Sequence, residues 1–281
     1  MSKLSRQLTI SGLILLQVFF PLNTSAQGNL LITPKRVVFE GNKRSMDLNL
    51  ANIGTDTATY AISLIEIRMT PEGSFETITE PDEGQRFASP YLRYFPRMVT
   101  LGPNEAQTVR LQVSRAGTLE PGEYRSHLYF RAVPEEKPLG EEEETIPDPS
   151  SISVRLTPVF GITIPAIIRI GHPDVNVTID DPELRFENDT TPRLKLVFNR
   201  TGNYSVYGDL TVDHVSPDGT VTRAGRANGV AVYTPNSSRN FEFSLMNQPK
   251  ADLSRGKLII TYSAPSDVRP EVYATAELIL Q

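Results

Sequence analysis

Residues 151–165 read SISVRLTPVFGITIP and alternate between apolar residues and residues that are mostly polar or small. The apolar positions are Ile152, Val154, Leu156, Pro158, Phe160, Ile162 and Ile164. A period of two is typical of a β-strand, because successive side chains point to opposite faces. The stretch therefore predicts a long strand with one apolar face, entered from the acidic segment PLGEEEETIPDPS at 138–150.

The rest of the chain also reads as strands. Alternating apolar residues occur in SMDLNLAN at 45–52 and in QTVRLQVS at 107–114. Turn-forming residues separate such segments every 8–12 residues or so, and no stretch has helical periodicity. A second series of strands follows Gly171. We therefore expect two all-β domains, at residues 27–170 and 171–281.

The first 26 residues predict a cleaved secretory signal peptide. Lys3 and Arg6 precede an apolar run of 13 residues, LTISGLILLQVFF, and small residues lead to a cleavage site after Ala26. A bilayer-spanning helix needs about 20 apolar residues, so the run is too short for a membrane anchor. The expected mature protein is exported and is not inserted in a membrane.

Composition excludes several classes of function. Residues 27–281 carry 26 basic and 33 acidic side chains, a net charge of −7, which is unlike a nucleic-acid-binding protein. Cysteine is absent, which excludes a cysteine nucleophile and a cysteine metal site. His127, His172 and His214 are too far apart in sequence for a local metal motif. No catalytic motif is found, so we expect neither an enzyme nor a cofactor.

Three segments carry a resemblance to a known family. They are LLITPKRVVFEGNKRSMDLNLANIG at 30–54, VTLGPNEAQTVRLQV at 99–113 and PGEYRSHLYFRAVPEE at 121–136. Their order and spacing resemble the N-terminal domain of the periplasmic pilus chaperones, the PapD-like family, over about residues 29–170.

The resemblance implies two immunoglobulin-like β-sandwich domains set in an L shape. It implies a periplasmic protein that binds newly exported pilus or fimbrial-type subunits, each a sandwich without its last strand. The chaperone lends its seventh strand to the open subunit core (donor-strand complementation) and then delivers the subunit to an outer-membrane usher.

The donor role gives residues 151–165 a physical explanation. Strand addition needs unpaired backbone groups along an edge and alternate side chains that fill pockets. We expect Ile152, Val154 and Leu156 to enter the subunit groove, whereas the later apolar residues pack inside the chaperone. The alternative is that the whole apolar face belongs to the protein's own core.

The resemblance also implies two basic residues that grip the subunit's C-terminal carboxylate. The first matches Arg36 in PKRVVFEG, with Lys35 pointing the other way. The second is a lysine on the seventh strand, and residues 151–171 contain none. Arg155 and Arg169 are basic there, but neither falls at the lysine's position. Arg36 therefore acts with a different partner, or the subunit is registered in another way.

A competing hypothesis is an exported immunoglobulin-like structural or adhesive surface protein. Such a subunit should carry a free N-terminal extension of alternating apolar residues. Only about residues 27–29 precede the first strand, which disfavours it. Self-association through the donor strand is a further partner option that the sequence leaves open.

Overall fold

The computed structural model describes residues 29–134, 159–188, 191–245, 253–265 and 270–280. Seventeen β-strands and two single-turn 3-10 helices, Ser89–Tyr91 and Ala116–Thr118, are found in these residues. The prediction of an all-β chain is therefore confirmed. The described residues include no helix long and apolar enough to cross a bilayer.

The first ten strands form two sheets. They are β1 (Leu30–Thr33), β2 (Val37–Phe39), β3 (Ser45–Asn52), β4 (Ala58–Met69), β5 (Phe75–Ile78), β6 (Leu92–Phe95), β7 (Met98–Leu101), β8 (Ala106–Val113), β9 (Gly122–Val133) and β10 (Gly161–Ile170). One sheet has the order β1-β3-β8-β6, and the other β2-β10-β9-β4, with β5 and β7 both on β4. The β2–β10 pair is parallel.

The two sheets face each other across one apolar core. Leu48 and Leu50 of β3 are fully buried, as are Val109 and Leu111 of β8. They share a cluster with residues of the opposite sheet such as Leu128. The alternation in the sequence thus reflects a sandwich in which every second side chain is buried between the two sheets.

The last seven strands form a second sandwich. They are β11 (Val175–Glu187), β12 (Thr191–Gly202), β13 (Val206–Val215), β14 (Val221–Val232), β15 (Ser238–Ser244), β16 (Gly256–Ser263) and β17 (Val272–Leu280). The sheets are β11-β12-β15 and β14-β13-β16-β17, and Phe198 and Tyr262 are buried between them. The prediction of two β-sandwiches is confirmed. The exact domain bounds and the L shape stay predictions.

A buried polar network joins the two sandwiches. The Glu123 side chain of β9 is fully buried and accepts a hydrogen bond from Arg169 Nε at 3.0 Å. It also accepts bonds from Ser205, from the backbone N–H at 3.0 Å and from the hydroxyl. Arg169 in turn pairs with Glu40 at 2.7 Å. A buried carboxylate is tolerated only with such partners, so the network fixes where β13 meets β9.

The β4–β5 loop forms a second contact between the sandwiches. Asn236 Nδ2 donates to the carbonyl of Met69 at 2.8 Å, and the Asn240 N–H donates to the carbonyl of Pro71 at 2.7 Å. Between the two contacts lies a small apolar cluster that includes Met69, Ile167 and Tyr233. The two sandwiches are therefore joined at two polar contacts, and we call the junction between these contacts the cleft.

We expect Glu123→Gln to lower the free energy of unfolding by about 3 kcal/mol, as is typical when one partner of a buried ion pair is removed. Arg169 Nε would then face a neutral amide in place of its buried counter-charge. Urea denaturation followed by circular dichroism measures the change. The matched control is Glu120→Gln, whose side chain is 80% exposed and 3.5 Å from Arg86; it should cost less than about 0.5 kcal/mol. Equal losses in the two variants would contradict a special role for the network.

Candidate functional site

Strand β10 has an edge that is partly open. It pairs with β9 along its whole length, from Gly161 to Ile170, but with β2 only at Ala166–Ile168. Among the described residues, nothing pairs with its other edge from Gly161 to Pro165. Val159 and Phe160, just before the strand, are 45% and 47% exposed. The site thus begins with an unpaired backbone edge beside exposed apolar side chains.

The predicted donor residues Ile152, Val154 and Leu156 lie outside the described residues. The continuation of their face is described. Ile164 is buried and Ile162 packs against the first core, as expected. Phe160 differs, because its side chain is half exposed although its carbonyl accepts a hydrogen bond from Ala132. The core therefore ends at Ile162, and the apolar face continues into solvent at Phe160.

Arg36 lies in the cleft between the sandwiches. It is half-buried just before β2, with its guanidinium carbon 4.7 Å from the ring centroid of Tyr207 and 5.6 Å from that of Tyr233. These distances are those of cation–π contacts. Its Nη1 is buried without a hydrogen-bond partner in the described structure. Lys35, its neighbour, is exposed.

Arg125 is a second basic residue in the cleft, and it was not among the site residues predicted from the sequence. It lies on β9, is 2% exposed, and stands 4.4 Å from the centroid of the Tyr233 ring. Its Nη2 donates to the carbonyl of Thr234 at 3.2 Å, whereas Nε and Nη1 are buried and have no partner in the part described. Burial lowers the pKa of Arg125, and the charge of Arg36 lowers it further.

Alternation along β9 could have identified Arg125. Leu128 and Phe130 face the core of the first sandwich, so residues at odd positions point to the other face. Arg125 and His127 are odd and fall inside the segment 121–136 that carries the family resemblance. The sequence did not show that this face is covered by a second sandwich.

The other basic candidates do not reach this position. Arg169 forms ion pairs with Glu123 and Glu40. Burial acts to lower its pKa, but these two carboxylates raise the pKa overall. Arg155 lies outside the described residues. The structure therefore brings Arg125, and not a residue of β10, next to Arg36.

Tyr233 is the centre of the site and is held in place by Arg200. Arg200 is 5% exposed and donates to the backbone carbonyls of Asn236 at 2.9 Å and Tyr204 at 3.0 Å. These bonds fix the segment that follows β14. The Tyr233 ring, which is itself buried, is thereby presented to both arginines.

Two more aromatic groups line the same place. His127 is 3% exposed, and its ring centroid lies 6.4 Å from that of Tyr233. Phe75, the first residue of β5, lies 5.9 Å from His127 and 6.2 Å from Tyr233, yet its side chain is 52% exposed. We name the following set the cleft cluster: Arg36, Phe75, Arg125, His127, Tyr207 and Tyr233.

The electrostatics of the cleft cluster favour an anion. Burial lowers the pKa of His127 to about 3, and the charges of Arg125 and Arg36 act in the same direction, so the imidazole is neutral. The two guanidinium groups keep their positive charge. Among the described residues, three of their buried nitrogens have no acceptor, which is costly unless a ligand supplies one. In the described residues no group of three or more acidic or histidine side chains could hold a metal ion.

Three solved structures to which the chain is similar are chaperones or contain one. The YadV chaperone is 12% identical, the match covers 90% of this chain and 100% of that chain, and the TM-score is 0.44. The Pseudomonas aeruginosa CupB2 chaperone is 14% identical, with coverages of 89% and 100% and a TM-score of 0.42. The CsuC–CsuE chaperone–tip adhesion subunit pre-assembly complex from archaic chaperone-usher Csu pili of Acinetobacter baumannii is 14% identical, with coverages of 75% and 89% and a TM-score of 0.40. No family model and no curated protein matches the sequence.

The low pKa of His127 makes stability depend on pH. An unfolded histidine titrates near 6.5, so between about pH 3 and 6.5 the unfolded chain binds more protons than the folded chain. His127 therefore makes the free energy of unfolding rise with pH in this window, by up to about 1.4 kcal/mol per pH unit. Urea titrations at several pH values should show a shallower slope for His127→Gln. An unchanged slope would contradict the buried neutral imidazole.

Proposed function

We propose that this protein is an exported chaperone that binds pilus or fimbrial-type subunits by lending them an edge strand. The observation that carries the proposal is the open edge of β10 at Gly161–Pro165, directly after the alternating stretch of residues 151–160. It works in the periplasm after removal of residues 1–26, delivers its subunit for assembly at the outer membrane, and uses neither a cofactor nor a catalytic step. The names of the similar structures give those proteins a chaperone role.

The open edge supplies the backbone half of strand addition. Unpaired N–H and C=O groups bind a second strand with little regard to its sequence. Side chains that alternate along the same strand supply the other half. Ile152, Val154 and Leu156 would each gain about 1.5–3 kcal/mol on burial in a subunit groove, before the cost of ordering the segment. Pro158 suits such an edge because a central strand would need its missing N–H.

Arg36 and Arg125 would bind the end of the subunit strand that pairs with the open edge of β10. We assign them together to the C-terminal carboxylate of the subunit, so that Arg125 takes the place of the lysine that residues 151–171 lack. A carboxylate satisfies guanidinium nitrogens with strong, charge-assisted hydrogen bonds.

The register of β9 and β10 gives the direction of the bound strand. Arg125 pairs with Ile167, two residues beyond the last unpaired residue, Pro165. A subunit strand that lies on the open edge and ends at Arg125 must therefore run parallel to β10. Its last carboxylate then sets which of its residues faces each donor side chain.

The proposal includes the division into domains 27–170 and 171–281. Among the described residues, no sheet combines strands from both sides of Gly171. The donor edge belongs to the first domain, whereas Tyr207 and Tyr233 of the cleft cluster belong to the second. Both domains therefore contribute to the proposed carboxylate site.

Val154→Asp should abolish complex formation, because it places a charge at a position that enters the subunit groove. The protein is co-expressed with each exported β-rich protein encoded beside its gene, and one-to-one complexes are separated by size-exclusion chromatography. The matched control is Ser153→Asp, the same new charge on the opposite face of the strand. It should leave the complex intact.

Circular dichroism of the two variants separates loss of binding from loss of folding. Both should keep the wild-type spectrum and melting temperature. If Val154→Asp unfolds the protein, residue 154 belongs to its own core and the donor role is wrong. Equal binding by both variants would also contradict strand donation.

Arg36→Gln should weaken the subunit complex about tenfold or more, since a carboxylate loses one of its two charged partners. Lys35→Gln removes the same charge from the exposed neighbouring position and should change the dissociation constant by less than about twofold. Surface plasmon resonance with the immobilised subunit measures both. An identical effect in the two variants would show that only the overall charge matters.

A further inference from the structure

We infer that Phe75, His127 and Tyr233 form a subsite for the last side chain of the bound subunit, and that this subsite selects a large aromatic residue. The inference rests on the proposed function, in which Arg36 and Arg125 hold the terminal carboxylate. It adds a specificity-determining surface that the carboxylate contact alone does not supply.

Phe75 is an exposed aromatic side chain in a fixed position. Its ring contacts His127 and Tyr233, while 52% of its surface remains open to solvent. The loop before it closes through a backbone bond from Thr70 to Ser74. The same loop is tied to the second sandwich by the Asn240 N–H, which donates to Pro71. An exposed aromatic ring that is held in place beside buried cationic groups offers a defined contact for an apolar side chain.

The distances place this surface next to the carboxylate site. Tyr233 is common to both, with the Arg125 and Arg36 guanidinium carbons 4.4 and 5.6 Å from its centroid. The Phe75 and His127 rings are 6.2 and 6.4 Å from the same point. Only the Cα separates a terminal carboxylate from the side chain of its own residue. A ligand that contacts the arginines and Phe75 together therefore does so with its last residue.

The chemistry of the subsite favours an uncharged aromatic group. Phe75 offers the exposed face of its ring, and the neighbouring imidazole of His127 is neutral because burial and both arginines lower its pKa. Aromatic rings at centroid distances of 4.5–7 Å attract one another beyond the area that they bury. A terminal lysine or arginine would bring a third positive charge to Arg36 and Arg125, and a terminal alanine would leave Phe75 in water.

The test uses the mature protein and fluorescein-labelled hexapeptides of sequence Val-Thr-Ile-Thr-Val-Xaa. Three peptides end in phenylalanine, alanine or lysine with a free carboxylate, and a fourth ends in phenylalanine amide. Fluorescence anisotropy gives each dissociation constant. We expect the phenylalanine carboxylate to bind about tenfold more tightly than the alanine peptide, and the lysine peptide to bind least tightly.

Phe75→Ala should bring the phenylalanine-to-alanine ratio close to one, because it removes the exposed ring that the last side chain contacts. The matched control is Phe95→Ala on β6, which removes a side chain that is 77% exposed and outside the cleft cluster. This control should keep the wild-type ratio. A preference for phenylalanine that survives Phe75→Ala would overturn the subsite.

The four peptides separate failure of the subsite from failure of the carboxylate site. If the carboxylate is required but phenylalanine and alanine bind equally, the subsite is wrong and the arginine site stands. If the amide binds as tightly as the acid, the arginine assignment is wrong, whatever the preference for the last side chain. If none of the four peptides binds, both are overturned.

Discussion

The buried carboxylate of Glu123 is the constraint on which the cleft depends. Its oxygens accept hydrogen bonds from Arg169 of β10 and from both the N–H and the hydroxyl of Ser205. These donors come from both sandwiches, so the carboxylate is satisfied in only one relative placement of the two. That placement brings the segment after β14 against β9. The aromatic and cationic residues of the cleft cluster meet because of it.

Within the cleft, two like charges lie close together. Among the described residues neither guanidinium forms an ion pair with a carboxylate, although the charges of Glu123 and Glu66 act on Arg125. Stacking on Tyr207 and Tyr233 offsets part of the cost of burying Arg36 and Arg125. Three guanidinium nitrogens have no hydrogen-bond partner in the part of the chain that the structure describes. A site of this kind is organised before its ligand arrives, so less free energy is lost on binding. The same reasoning explains why Phe75 is fixed at its backbone and open at its ring.

Period-two alternation predicted the strands and both sandwiches, because burial on one face leaves a direct trace in the sequence. It also predicted that Ile162 and Ile164 are internal. The motif around Arg36 predicted a site residue there. The structure places its guanidinium against Tyr207 and Tyr233, and its role in binding stays a prediction. Arg125 lay within reach of the same alternation argument. Phe75 and Tyr233 did not, since 158 positions separate them in sequence and only the docking of two sandwiches brings them together. Ile152, Val154 and Leu156 stay predictions.

The arginine pair has a consequence for which molecules can be accepted. A polypeptide backbone carries a free carboxylate at a single place, and that group exists only once synthesis has ended. An interior segment of the same sequence presents an amide there, which carries no charge for Arg36 and Arg125 to compensate. Under the proposed function, the cleft thus distinguishes the true end of a client chain from an interior segment of the same sequence, whatever the folding state of the client.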